Sequence, residues 1–192
     1  MIESIKELRA RTGVGMSDAK KALQESGGDI NKAIDVLRRE GIAKAHKKSD
    51  RATREGVIHA YIHSNGKVGA LVEVNCETDF VAKNEDFKSF AYNLAMQVAA
   101  TDPQYLTRDE IPADVIAKEG EVLREQLRGD GKSDTIIEKA LPGALEKFYS
   151  AICLLDQPFI KDETMTIQDL IASKVLQFGE NIKVNRFARF SL

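Results

Sequence analysis

Motifs that carry covalent chemistry are scarce in this chain. Its two cysteines, Cys76 and Cys153, form neither a disulfide framework nor a metal-ligand pair, which fits a reducing cytoplasm. Long apolar runs are missing too, since none approaches the roughly 20 residues a membrane helix needs. The opening Met1-Ile2-Glu3-Ser4-Ile5-Lys6 has neither a signal-peptide core nor an Arg-rich transit pattern. The expectation is a cytoplasmic protein that does not meet a membrane. No sign of charge dominates. With 28 basic and 30 acidic residues the net charge is −2, so no global basic surface recommends nucleic acid as a partner. Gly13-Val14-Gly15 lacks the Lys-Ser/Thr pair of a Walker loop, and there is no Gly-x-Ser-x-Gly. His59 and His63 lie four apart on a strand and its end, with no carboxylate or cysteine at ligand spacing, and read as surface or cross-strand histidines. These absences shift the weight from an enzyme to a binding protein that uses no cofactor.

What is present is ordinary globular material. A chain of 192 residues, 43% hydrophobic and 30% charged, holds one or two domains around a real core. The first forty residues predict three short helices. Ile2, Ile5 and Leu8 share a face that Thr12-Gly13 ends. Ser17 is placed to cap a second helix, stopped by Gly27-Gly28. Asp29 is placed to cap a third, with Ile30, Ala33, Ile34 and Leu37 buried and Gly41 as its stop. Such a small bundle suits binding. Residues 43–55 then turn polar around Lys44, His46, Lys47, Lys48, Arg51 and Arg54, and read as a solvated, partly helical linker. The predicted division is a three-helix module over 1–42, a basic linker over 43–55 and a core domain over 56–192.

From Gly56 the period becomes two. Residues 56–62 and 67–76 predict strands joined at Ser64-Asn65-Gly66, with Val68, Ala70, Val72 and Val74 on one face. A strongly amphipathic helix carries Phe87, Phe90, Ala91, Leu94 and Val98 and ends at Thr101-Asp102-Pro103. Ile111-Pro112 opens another helix, with Val115, Ile116, Val122, Leu123 and Leu127 as its stripe. Ser133 is placed to cap the next, which Pro142-Gly143 should break or kink. Leu154–Lys161 reads as a loop or edge, and Thr166 caps a short helix. Residues 181–190 form a third strand with Ile182, Val184, Arg186, Ala188 and Phe190 on one face. The fold class is α+β: the three-helix bundle, then a three-stranded antiparallel sheet packed with helices.

The stretch that stands out is Thr78-Asp79-Phe80-Val81-Ala82-Lys83-Asn84, a strand-to-helix corner carrying an aromatic where polar capping residues are usual. Asn84 is a candidate cap for the following helix, and Asp79 for a short turn. Spacing alone favours Phe80 folding back on the helix start as a staple. The alternative is an outward apolar wedge on a rigid support.

Leu8-Arg9-Ala10-Arg11-Thr12-Gly13-Val14-Gly15-Met16-Ser17-Asp18-Ala19-Lys20-Lys21-Ala22-Leu23 closely resembles the N-terminal signature of the elongation factor Ts family. Glu73-Val74-Asn75-Cys76-Glu77-Thr78-Asp79-Phe80-Val81-Ala82-Lys83-Asn84 resembles its core signature, and Leu154–Phe159 and Gly179–Val184 look like later segments. The resemblance runs over essentially the whole chain in the right order. It implies guanine nucleotide exchange during translation elongation, on both the GDP form and the nucleotide-free form of the GTPase elongation factor Tu. It implies a ubiquitin-associated-like N-terminal module that docks on the GTPase through Arg11, Thr12, Gly13, Val14, Gly15 and Met16. It further implies that Thr78, Asp79, Phe80 and Val81 dislodge the partner's Mg²⁺, which reverses the preference for a packed Phe80. Only one core half follows the linker, as in short members that pair two chains, so a homodimer is implied. Leu141-Pro142-Gly143 and Ala19 depart from the family pattern, outside the segments expected to act.

Two other readings compete. An adaptor of ubiquitin-associated type would bind a protein partner through residues 1–42 alone. A small enzyme would use Cys76 beside Glu77, although Cys76 is expected to be buried or a spectator.

Overall fold

The computed structural model describes residues 1–192. Three helices open the chain: α1 (Ile2–Thr12), α2 (Met16–Glu25) and α3 (Ile30–Lys48). Gly13 ends α1 in the left-handed conformation at φ 70°, its N–H returned to the Arg9 carbonyl. Asp29 caps α3 as expected, accepting from the N–H groups of Asn31 and Lys32. Ser17 does not cap α2. The helix begins two residues earlier than a Ser17 cap would start it, with extended Gly15 at the cap position and no side-chain bond there.

Gly41 does not stop α3, which runs seven residues further to Lys48 and takes in the first half of the predicted linker. The glycine serves close approach instead. A β-carbon on Gly41 would lie 3.0 Å from the carbonyl oxygen of Ala172, on α8 (Ile167–Phe178), which crosses α3 here. Leu176 of the same helix joins Leu8, Ala19, Ala22, Leu23 and Leu37 in the N-terminal core. The small bundle therefore borrows apolar surface from the C-terminal part of the chain.

The main sheet has the order β1-β2-β5, all antiparallel: β1 (Glu55–Ile62), β2 (Val68–Cys76) and β5 (Lys183–Ser191). Ala70, Val72, Val74 and Cys76 face α5 (Glu85–Thr101), whose Phe87, Phe90, Ala91, Leu94 and Val98 complete the larger core. Asn84 caps α5 by accepting from Asp86 N–H, and Asp102 closes it at φ 49°. The alternation expected along β5 fails at one place. A register shift opposite Glu73 and Val74 leaves Asn185 unpaired, so Val184 faces inward and the inward set then continues through Phe187 and Arg189. Phe190, expected on the Val184 face, is 69% exposed on the other.

Between α5 and β5 lie α6 (Ala113–Gly129), α7 (Asp134–Ile152), a two-stranded ribbon and α8. Pro112 stands at the cap of α6, one residue before the position expected. The stripe of α6 is only partly covered, because this helix packs chiefly on α7. Ser133 sits at the cap of α7 without a side-chain bond. Pro142 does not interrupt α7. Ile137 and Leu141 anchor the turns before it, and Arg108 clasps Glu146 in the turn after it. The segment read as a loop or edge, 154–161, supplies the short strand β3 (Pro158–Phe159), which forms a ribbon with β4 (Asp162–Thr166). Buried Gln97 of α5 holds it, donating to Gln157 and the Pro158 carbonyl and accepting from Ile160 N–H at 2.9 Å. Thr166 and Asp169 form a full capping box on α8.

Candidate functional site

The Thr78–Asn84 corner forms where β2 runs out of pairing partners. After Cys76 the chain turns into α4 (Asp79–Ala82), a single helical turn with Thr78 at its cap. So short a helix has no stability of its own and takes its direction from what holds its ends. Ala82 is buried and Val81 half-buried against the main core. Cys76 Sγ donates to the Thr78 carbonyl from beneath at 3.2 Å.

Two carboxylates lock the corner to the far end of the chain, one supplied from each side. Glu180 accepts from the N–H groups of Glu77 and Thr78, both at 3.0 Å, and from Thr78 Oγ1 at 2.6 Å. Glu77 reciprocates, accepting from Asn181 N–H at 2.6 Å and pairing with Arg51. The Asn181 amide then donates to the Arg51 carbonyl at 2.8 Å. Bonds to ionised acceptors contribute about 1.5–3 kcal/mol where shielded and less where water reaches them.

On this brace Phe80 points outward and is 83% exposed. It does not fold back as a staple. Asp79 does not cap a turn; it lies at the first helical position and pairs with Lys83 one turn on, at 2.7 Å. That hydrogen bond holds the Asp79 carboxyl below its ordinary range and the Lys83 ammonium above its own. Cys76 is fully buried, and burial, with the Glu180 charge second, pushes its thiol up to about 11. Burial and a raised pKa both work against the thiolate a nucleophile needs. His59 stacks edge-on against Tyr92, and His63 takes the Tyr61 hydroxyl at 3.0 Å, so both histidines have local partners.

The N-terminal motif forms the turn between α1 and α2. Arg11, Gly13, Gly15 and Met16 are exposed there, Met16 at 59%, while Val14 is buried and Thr12 returns its hydroxyl to the Leu8 carbonyl. This turn and the start of α5, just beyond the corner, share a neighbour. A β-carbon on Gly13 would meet the Gln177 side chain at 2.8 Å, and Gln177 donates to Asp86 in the first turn of α5 at 3.3 Å. Burial lowers the pKa of the adjacent Lys174, with the Asp86 charge acting against it. The end of α8 thus touches the N-terminal turn and the first turn of α5, the helix that follows the corner. Sequence reasoning missed Glu180, Asn181, Gln177 and Asp86 as parts of the site. Only the Gly179-Glu180-Asn181 segment gave a signal, and its pairing across about a hundred residues leaves no local trace.

The family model for Elongation factor TS matches residues 2–192. Similar proteins include the Elongation factor Ts of Carboxydothermus hydrogenoformans, 53% identical over 190 residues, covering 99% of this chain and 88% of that protein. That of Moorella thermoacetica is 54% identical over 188 residues, covering 98% and 93%. That of Acetivibrio thermocellus is 54% identical over 188 residues, covering 98% and 87%.

Proposed function

Because the chain belongs to the elongation factor Ts family, and so to the factors of translation elongation, we propose that it exchanges guanine nucleotide on elongation factor Tu. It engages the GDP form, promotes GDP release and holds the nucleotide-free form until nucleotide returns. The observation that carries this reading is the exposed Phe80 on a corner braced from both sides.

GDP and Mg²⁺ in a GTPase depend on backbone N–H groups and oxygen ligands at close to ideal geometry. An aromatic ring pressed among the supporting groups shifts them and offers the ion no ligand. Thr78, Asp79, Phe80 and Val81 act together here: Thr78 and Val81 fix the turn, Asp79 is oriented by Lys83, and Phe80 intrudes. Linkage sets the rest, because the factor weakens GDP binding by the ratio in which GDP weakens its own. No covalent bond is made or broken, so the protein works as a binding factor, in the cytoplasm with its partner. Exposed Arg11, Gly15 and Met16 dock the N-terminal module on the GTPase, with Thr12, Gly13 and Val14 shaping the turn. The units are the module of 1–42, the connector of 43–55, whose first part continues α3, and the core of 56–192.

The protein works as a homodimer. Ile58, Ile62, Leu71 and Phe190 are all exposed on the sheet face opposite α5, where a second copy would cover them. Leu71→Asp should then yield a monomer in sedimentation, whereas an unchanged mass would remove this face from the interface.

The experiment is release of a fluorescent GDP from elongation factor Tu, with the wild-type protein and with Phe80→Ala. Fast release by wild type and slow release by a variant that still binds supports the wedge. Equal rates would leave exchange to the other docking surfaces. No acceleration by wild type would favour the adaptor reading through residues 1–42. Against that reading stands Leu176, which lies outside those residues yet is part of their core.

A further inference from the structure

We propose that Glu180 is the positioning residue of the exchange corner, acting on Phe80 through the backbone of Glu77 and Thr78. This rests on the exchange reading above. Glu180 reaches the corner from a segment 102 residues away in sequence and satisfies three donors with one carboxylate: two successive backbone N–H groups and the Thr78 hydroxyl. Those two N–H groups lie at the point where β2 has ended and α4 has not begun. Thr78 stands at the cap of α4, yet its hydroxyl makes no bond to that helix. It is committed to Glu180 instead at 2.6 Å.

The direction of a one-turn helix carrying an exposed ring is therefore set from outside. The next residue completes the clamp, since Asn181 gives its N–H to Glu77 and its side-chain amide to the Arg51 carbonyl. Glu180 and Asn181 follow the Gly179 cap of α8, and α8 also carries Gln177, which borders the Gly13 turn and bonds Asp86. Without Glu180, Phe80 remains exposed but swings about Thr78, and binding energy that would displace the partner's ligands goes into ordering the corner. The carboxylate touches neither Phe80 nor the partner's nucleotide, so it positions and does not itself displace.

The test is a double-mutant cycle on GDP release from elongation factor Tu. Glu180→Ala should slow release at saturation about tenfold, the scale of losing a set of charge-assisted bonds. The half-saturating concentration, set by docking elsewhere, should stay within about twofold. In a Phe80→Ala background the same change should add almost nothing. Glu180→Gln should restore near-wild-type release, because its amide oxygen accepts both N–H groups and its NH₂ meets the Thr78 oxygen. If Glu180→Ala does not fold, Thr78→Val removes one of the three bonds and should slow release by a smaller factor in the same direction. Independent slowing in the double variant, or no slowing by either Glu180→Ala or Thr78→Val, overturns the assignment.

A second readout needs no partner. The chain has no tryptophan, so Phe80→Trp supplies a single probe at the corner. Adding Glu180→Ala should lower its fluorescence anisotropy in the free protein. Unchanged anisotropy overturns the positioning role. If wild type fails to release GDP, the exchange reading falls while a lowered anisotropy still upholds Glu180 as the brace of the corner.

Discussion

Phe80 and Phe87 lie seven residues apart, and the same truncation at each should have opposite consequences. Full burial of a phenylalanine side chain stabilises a fold by about 1.5–3 kcal/mol. Phe80 keeps 83% of its surface in water, so removing its ring forfeits under about 0.5 kcal/mol, partly offset by the better helix propensity of alanine. At about 2–4 °C per kcal/mol for a chain of this size, Phe80→Ala should lower Tm by no more than about 2 °C. Phe87 is fully buried, with ring centroids 6.2 Å from Phe90 and 5.9 Å from Phe178. Phe87→Ala should cost about 3–5 kcal/mol and lower Tm by about 6–20 °C. Release of a fluorescent GDP from elongation factor Tu, measured where both variants are folded, should invert the order. Phe80→Ala should be slower by about 10–100-fold if the ring is fully buried in the partner at the critical step, and Phe87→Ala should match wild type. Equal losses of Tm would refute the exposed placement of Phe80. Unchanged Tm with unchanged release would refute the wedge.

Gly13→Ala should destabilise the fold by about 1–2 kcal/mol, read by thermal unfolding, since the left-handed φ of 70° and the Gln177 side chain 2.8 Å from the new β-carbon both oppose it. An unchanged Tm would mean that the turn is not pressed on α8. Burial holds the Cys76 and Cys153 thiols to about 11 against an ordinary 9.0, so the unfolded chain loses these protons first and stability falls as pH rises between those values. The slope should be about 1.4 kcal/mol per pH unit for each thiol; urea melts at pH 8.5 and 10.5 of wild type and a Cys76→Ala variant check it, and identical slopes would refute the burial argument. Pro142→Ala, inside a continuous α7, should add about 1–3 kcal/mol by restoring a helical N–H bond and relieving ring crowding. A lower Tm would show that the proline relieves strain in the native helix.

How much of this was legible in sequence depended on the range of the cause. Local chemistry was readable: Gly13 ending α1, Asp29 and Asn84 capping, the Ser64–Gly66 turn, and the inward set from Ala70 to Val74. Two readings failed where a distant segment decided, and at a third place a possible break did not occur. Gly41 resembles a stop, yet Ala172 needs the space a side chain would fill. Phe190 shares the parity of Val184, but the bulge at Asn185 reverses it. Pro142 is a breaker by propensity, and packing on either side keeps the helix running. The same rule governs the site. Thr78–Val81 announced itself as an aromatic in a capping position, whereas the carboxylate that holds it is invisible without the fold.

That division also bears on why the proposed wedge would sit at this corner. A phenylalanine on a long loop would fill a partner's cleft, but ordering the loop would consume much of what its burial supplies. Placed within a core helix, it would be covered by its own fold, as Phe87 is. The corner after β2 avoids both outcomes. Val81 and Ala82 bind the turn to the core, Glu180 fixes its entry and Asn84 starts the next helix, so the Phe80 ring alone remains uncommitted. Ordering has been completed during folding, so under the proposed mechanism the free energy of burying the ring would remain available for work on the partner. An exposed ring on a mobile support would give affinity without exchange, which is why the brace and the ring must be tested together.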